Sequence, residues 1–147
     1  MGVIDRKILH ELQANAKISM KELAQKVYLS SPSTIERVRR LEENGIIKGY
    51  KTIVDAEKLN RNITAFVLFE TTKCKDHAAF CSVHPDVMEC YRVAGKISYI
   101  AKICTESVRT LEEFIHKAME FDTPSTNIVL SSHTNMELKL SQDTSSG

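Results

Sequence analysis

The sequence predicts an α+β protein in two parts, an N-terminal winged helix-turn-helix followed by a ferredoxin-like β-α-β-β-α-β domain. Three observations predict it. Residues 19–50 carry two helix-start signals separated by a proline-containing break. Residues 63–134 alternate between short β-rich runs and amphipathic segments. The charge divides along the same boundary: residues 1–54 hold ten Lys and Arg against six Asp and Glu, and residues 55–147 hold ten against thirteen.

In the first helix Ile8, Leu9 and Leu12 line one side, Ile4 leads in, and Asp5 is placed to cap. His10 falls off the stripe. Ser19 and Glu22 form an S-x-x-E capping box, and Leu23 and Val27 follow at i, i+4. Leu29-Ser30-Ser31-Pro32 breaks that helix, because proline disfavours a helical residue before it. Pro32 suits the start of a new helix, with Ser31 or Ser30 as cap, and Asn44-Gly45 stops it. In this second helix of the motif, Ile35, Val38 and Leu41 are expected to face a core. Ser33, Glu36, Arg37 and Arg40 are expected on the opposite side, with Thr34 near its edge. Residues 46–54 read as a strand pair or wing carrying Lys48 and Lys51.

Short hydroxyls at a helix N-terminus and Arg further along suit a helix that enters the major groove of double-stranded DNA. The expected DNA-contacting residues are Ser31, Ser33, Thr34, Glu36, Arg37, Arg40 and, on the wing, Lys48. A solvated charged face explains most isolated Arg-rich helices. Here the preceding helix, the tight turn and the Ser/Thr/Arg order decide for DNA. A formal charge of only +1 gives one copy few phosphate contacts, so self-association is expected to gather them.

The domain boundaries are expected at 1–54, a polar linker at 55–62, a second domain at 63–140 and a disordered tail at 141–147. In the second domain the strands are expected at 63–72, 87–94, 97–104 and 127–133, with helices at 75–84 and 107–120 and a tight turn at Gly95-Lys96. The first strand is apolar on both parities, Ala65, Val67 and Phe69 against Phe66 and Leu68. Its second face therefore wants cover, and a dimer through Phe66 and Leu68 supplies it.

The sequence shows no G-x-S-x-G, no glycine-rich phosphate loop, no H-E-x-x-H and no catalytic Cys/His dyad that spacing would suggest, so an enzyme is not expected. Glu112 and Glu113 are adjacent on a helix and do not face each other. Cys74, Cys81, Cys90 and Cys104 show no C-x-x-C spacing and read as thiols in a reducing cytosol. The five His show no paired ligand spacing, so neither metal nor cofactor is expected. No signal peptide and no membrane-length apolar run are read, so a cytoplasmic chain is expected.

These residues resemble the Lrp/AsnC (leucine-responsive, feast/famine) regulators of bacteria and archaea. The resemblance rests on IDRKILHELQANAKISMKELA, on LSSPSTIERVRRLEENGIIKGY, and on the β-α-β-β-α-β half with CYRVAG before its central turn. It implies a nucleoid-associated, DNA-binding transcriptional regulator whose C-terminal domains dimerise and assemble to octamers or higher. A DNA-bending architectural protein without effector is the alternative. The resemblance also implies an amino-acid effector near Gly95, Lys96, Ile97, Ser98 and Tyr99. Many members place an acid where this chain has Ser98, and Lys96 adds a positive charge, so a weak or unusual response to ordinary amino acids is expected.

Overall fold

Three helices build the first unit: α1 (Val3–Ala14), α2 (Met20–Val27) and α3 (Ser31–Glu43). In this computed structural model, residues 1–121, 123–134 and 136–141 are described. Helix α2 starts on Ser19, whose hydroxyl accepts from the Glu22 amide at 3.1 Å. It ends on Tyr28, which adopts a left-handed backbone (φ 57°). Ser30 then caps α3, accepting from the Ser33 amide at 3.3 Å. Residues 28–30 thus form the three-residue turn of a helix-turn-helix. The hydrophobic core is aliphatic, Ile8, Leu9, Leu12, Ile18, Leu23, Val27, Val38 and Leu41, and Thr34 is buried with it.

Three expectations for this unit need correction. Asp5 does not cap α1; Gly2 occupies that position, and Asp5 lies in the first turn. The buried stripe of α3 is Thr34, Val38 and Leu41, and Ile35 is exposed. Positions i, i+4 and i+7 stay within a narrower arc of a 3.6-residue helix than positions i, i+3 and i+6. Residues 46–54 form no strand, because nothing among the described residues offers them a ladder partner.

The second unit holds the sheet. Strands β1 (Ile63–Phe69), β2 (Val87–Arg92), β3 (Tyr99–Thr105) and β4 (Ser125–Ile128) lie in the order β2-β3-β1-β4. Every pairing is antiparallel. Helix α4 (Cys74–Val83) links β1 to β2, and α5 (Val108–Ala118) links β3 to β4, giving the split β-α-β-β-α-β arrangement. A one-turn 3-10 helix at Glu57–Leu59 precedes the sheet. Ser107 caps α5 in a reciprocal capping box with Thr110. Ala65, Val67 and Phe69 from β1 and Tyr99, Ala101 and Ile103 from β3 meet Cys81, Leu111, Phe114 and Ala118 from the helices.

The strands are shorter than expected, and β4 begins two residues early and ends at Ile128. The C-terminal boundary also differs. The sheet unit spans Val54–His133, whereas the described residues beyond it, Thr134 and 136–141, belong to the helical unit. There the Gln13 amide brackets Leu138, donating to its carbonyl at 3.0 Å and accepting from its N–H at 2.6 Å. Leu140 packs on the aliphatic core, and Arg6 donates to the Ser141 carbonyl at 2.8 Å. An apolar residue and unpaired backbone thus find partners on α1. Of the expected tail at 141–147, all but Ser141 lies outside the described residues.

Candidate nucleic-acid interface

The exposed face of α3 is fixed by what its other face buries. With Thr34, Val38 and Leu41 turned inward, Pro32, Ser33, Ile35, Arg39, Arg40 and Glu43 are exposed, with Glu36 half-exposed among them. Glu36 organises this surface. It takes a two-point contact from Arg39, through Nε at 2.9 Å and Nη2 at 2.6 Å. It also accepts from Arg40 Nε at 3.2 Å. Arg39 reaches Glu43 one turn on. Hydrogen bonding to the Arg39 guanidinium is the main reason the Glu36 carboxyl is lowered to about 2. Four ionic side chains therefore form one intrahelical network with no net charge.

The expected contact residues divide. Ser33 and Arg40 are exposed, and Glu36 lies beside them. Ser31 opens the helix half-buried, and Lys48 is exposed beyond the helix end. Thr34 is corrected: it is fully buried, and its hydroxyl donates to the Ser30 carbonyl at 3.0 Å, so it cannot reach DNA. Arg37 lies at the edge of the face and donates through Nη1 to Asp5 Oδ1 at 3.0 Å, tying α3 to α1. Arg39 was missed by the sequence reading, which took Ile35 as a core position. Choosing i, i+4, i+7 would have found it. Tyr28 was missed too: it is 87% exposed in the turn between the two helices.

The expected effector loop joins β2 to β3 across residues 93–98. The Val93 amide donates to the Ser98 carbonyl at 2.9 Å, and the Ser98 amide donates to the Phe69 carbonyl at 2.8 Å. Gly95 has a φ of +146°, which a side chain rarely adopts. Lys96 is exposed, and Ile97 and Ser98 are half-buried. Tyr99 is corrected as an effector contact: it is buried in the core, and its hydroxyl donates to the Cys74 carbonyl at 3.2 Å. Burial is also what raises its phenol above the usual value.

On the face of the sheet away from the helices, Phe66 pairs with Lys102 and Leu68 with Ile100, while Tyr91 pairs with Ile100 from the other side. Phe66 is 37% exposed, Leu68 half-buried and Tyr91 exposed. Residues of paired strands share a face, so this side carries an apolar centre with polar Glu89, Lys102, Ser125 and Asn127 around it.

A helix-turn-helix whose second helix turns Ser33, Arg39 and Arg40 outward, followed by a split antiparallel sheet, defines a two-domain DNA-binding regulator. Two family models match: "Winged helix-turn-helix DNA-binding" over residues 2–48 and "Lrp/AsnC ligand binding domain" over residues 64–137. The HTH-type transcriptional regulator YezC of Bacillus subtilis is 51% identical, with 90% of this chain and 95% of that protein covered. The solved structure of Bacillus subtilis LrpC superposes with a TM-score of 0.86 at 34% identity, covering 91% of this chain and 97% of the other. A feast or famine regulatory protein from Mycobacterium tuberculosis, complexed with L-methionine, is 28% identical with a TM-score of 0.84, covering 92% and 96%. The chain belongs to the Lrp/AsnC family of transcriptional regulators. No helix among the described residues is long and apolar enough to cross a membrane.

Proposed function

We propose that this regulator is sequence-specific, that it docks α3 in the major groove, and that it does so as a homo-oligomer on the nucleoid. The exposed α3 face carries the reading. Ser33, Arg39 and Arg40 are the proposed donors to bases and phosphates, Lys48 and Ser31 flank them on the backbone, and Arg37 positions α3 against α1. Glu36 is the discriminating group. A carboxylate in the groove repels phosphate and is accommodated only where a donor such as cytosine N4 faces it. That favours sequence reading over indiscriminate wrapping.

Self-pairing of the open sheet face, centred on Phe66, Leu68, Ile100 and Tyr91, is the proposed dimer contact, with higher assembly built on that dimer. The match to a ligand-binding domain and the L-methionine complex of a relative support a small-molecule effector at residues 93–98. Lys96 and Ser98 offer a cation and a hydroxyl for a carboxylate, with no acid for an ammonium group.

The test is fluorescence anisotropy at several salt concentrations, with a duplex selected by the protein from a random pool and a scrambled control. A selected duplex that binds at least a hundred-fold more tightly is the expected result. Equal affinity for both duplexes would instead mark an architectural protein.

A further inference from the structure

The helix-covered side of the sheet gathers two thiols and an imidazole. The ligand atoms of His77, Cys81 and Cys90 all lie within 4.8 Å of one another. His77 and Cys81 are four residues apart on α4 and therefore share one of its faces. Cys90 arrives from β2, and it does so because of a bulge. Val87 pairs with Ile103 on the core side, and strict alternation would turn residue 90 outward. The register shift between Val87 and Glu89 reverses the parity, so Cys90 pairs with Ala101 and faces the helices.

The imidazole is poorly served as an ordinary core residue. It is fully buried between the Phe69 and Tyr99 rings, at centroid distances of 4.2 and 4.5 Å. Among the described residues, its ring nitrogens have only the Cys81 Sγ as hydrogen-bond partner, at 3.8 Å. In a tetrahedral zinc centre, Zn–S bonds of about 2.3 Å and Zn–N bonds of about 2.0–2.1 Å put neighbouring ligand atoms roughly 3.5–3.8 Å apart. The His77–Cys81 separation already has that spacing, and Cys90 needs a side-chain adjustment of at most ~1 Å to join it.

We propose that His77, Cys81 and Cys90 form a binding site for one zinc-class divalent cation, with water as the fourth ligand. Two thiolates balance the charge of the ion, so the occupied site adds no net charge to the core. On binding, each thiol loses its S–H proton to solvent as a metal–sulfur bond forms, and no oxidant or reductant takes part. Cys90, on the edge strand, is the most open of the three and gives both ion and water a route. A Cys81–Cys90 disulfide would use the same sulfurs but leave the buried imidazole without its hydrogen-bond partner. Coordination serves all three groups at once.

The experiment uses the full chain, reduced and stripped with a chelator, titrated with Co²⁺ and then with Zn²⁺. The expected result is one Co²⁺ per chain, with sulfur-to-cobalt charge transfer and tetrahedral d–d bands that Zn²⁺ bleaches. Cys90→Ser should weaken binding at least ten-fold while keeping the wild-type circular dichroism, since Cys90 is open to solvent. Cys81→Ser should do the same if it folds. Cys74→Ser and Cys104→Ser should bind as the wild type does. No cobalt–sulfur band, unchanged affinity in Cys90→Ser, or an equal loss in Cys74→Ser would each overturn the assignment. So would uptake of Cu⁺ alone.

Discussion

The two units of this chain put their chemistry in opposite places. The helical unit has a core of eight aliphatic residues and keeps its ionic groups outside, along α3. The sheet unit buries His77, Thr71, Thr105, Cys81 and Tyr99 among its apolar residues. One of these, Thr105, donates to the half-buried Asp86 Oδ2 at 3.0 Å, and Asp86 also accepts from Arg61 at 2.6 Å. The difference separates two ways of working. A scaffold that presents a surface to DNA needs only rigid, inert packing beneath it. The sheet unit instead holds hydrogen-bonding side chains within its interior.

The largest effects break each core in turn. Phe114→Ala should destabilise the sheet unit by about 3–5 kcal/mol, because Phe114 is 1% exposed on the core side of α5. Leu23→Ala should cost the helical unit about 2–5 kcal/mol and remove DNA binding with it. Hydrogen exchange should assign each loss to its own unit. Protection lost equally across residues 1–53 and 54–133 in either variant would erase the distinction between the units.

Next come the surface arginines. Arg40→Ala should lower affinity for the selected duplex by about 1–3 kcal/mol without altering thermal stability. Thr34→Val sharpens the contrast from the inside. It removes the hydrogen bond to the Ser30 carbonyl, costing about 1 kcal/mol of folding stability, and leaves DNA affinity per folded molecule unchanged. A DNA-specific loss in Thr34→Val would show that the buried face had been misassigned.

The smallest effect concerns pH. Hydrogen bonding to Arg39 depresses the folded carboxyl of Glu36 to about 2, below its ordinary value of 4.5. A depressed acid contributes stability above its unfolded value and loses it as pH falls through the folded one. The α3 network should therefore hold unchanged from pH 8 to 5 and release only between about 4.5 and 2. Glu36→Gln should remove that acid transition and raise affinity for scrambled DNA more than for the selected duplex. A titration of Glu36 near 4.5, followed by NMR, would show the network open in solution.

Local signals made much of this legible. The Ser19 cap, a serine cap at 30 or 31, the proline break and the β-α-β-β-α-β order follow from residues close in sequence. What escaped depends on tertiary context. Asp5 suits a cap by type, yet it lies one turn too late and serves Arg37 instead. Ile35 is the more apolar neighbour of Thr34, so propensity pointed the wrong way round α3. Only packing showed that the hydroxyl could be buried against its own backbone. The His77–Cys81–Cys90 group was invisible for a different reason. Its third member faces inward only because a bulge shifts the β2 register, and no residue in Val87–Arg92 announces that bulge.

The outward face of α3, and not its edge, is the proposed DNA contact. Salt-dependent anisotropy of Arg40→Ala beside Arg37→Ala tests it most directly on the selected duplex. Arg40→Ala should lose at least five-fold in affinity and reduce the salt slope by about one if the side chain meets phosphate. Arg37→Ala should stay within two-fold of the wild type once corrected for folded fraction, because its guanidinium is committed to Asp5. The reverse ranking, with Arg37→Ala costly and Arg40→Ala silent, would contradict the assignment.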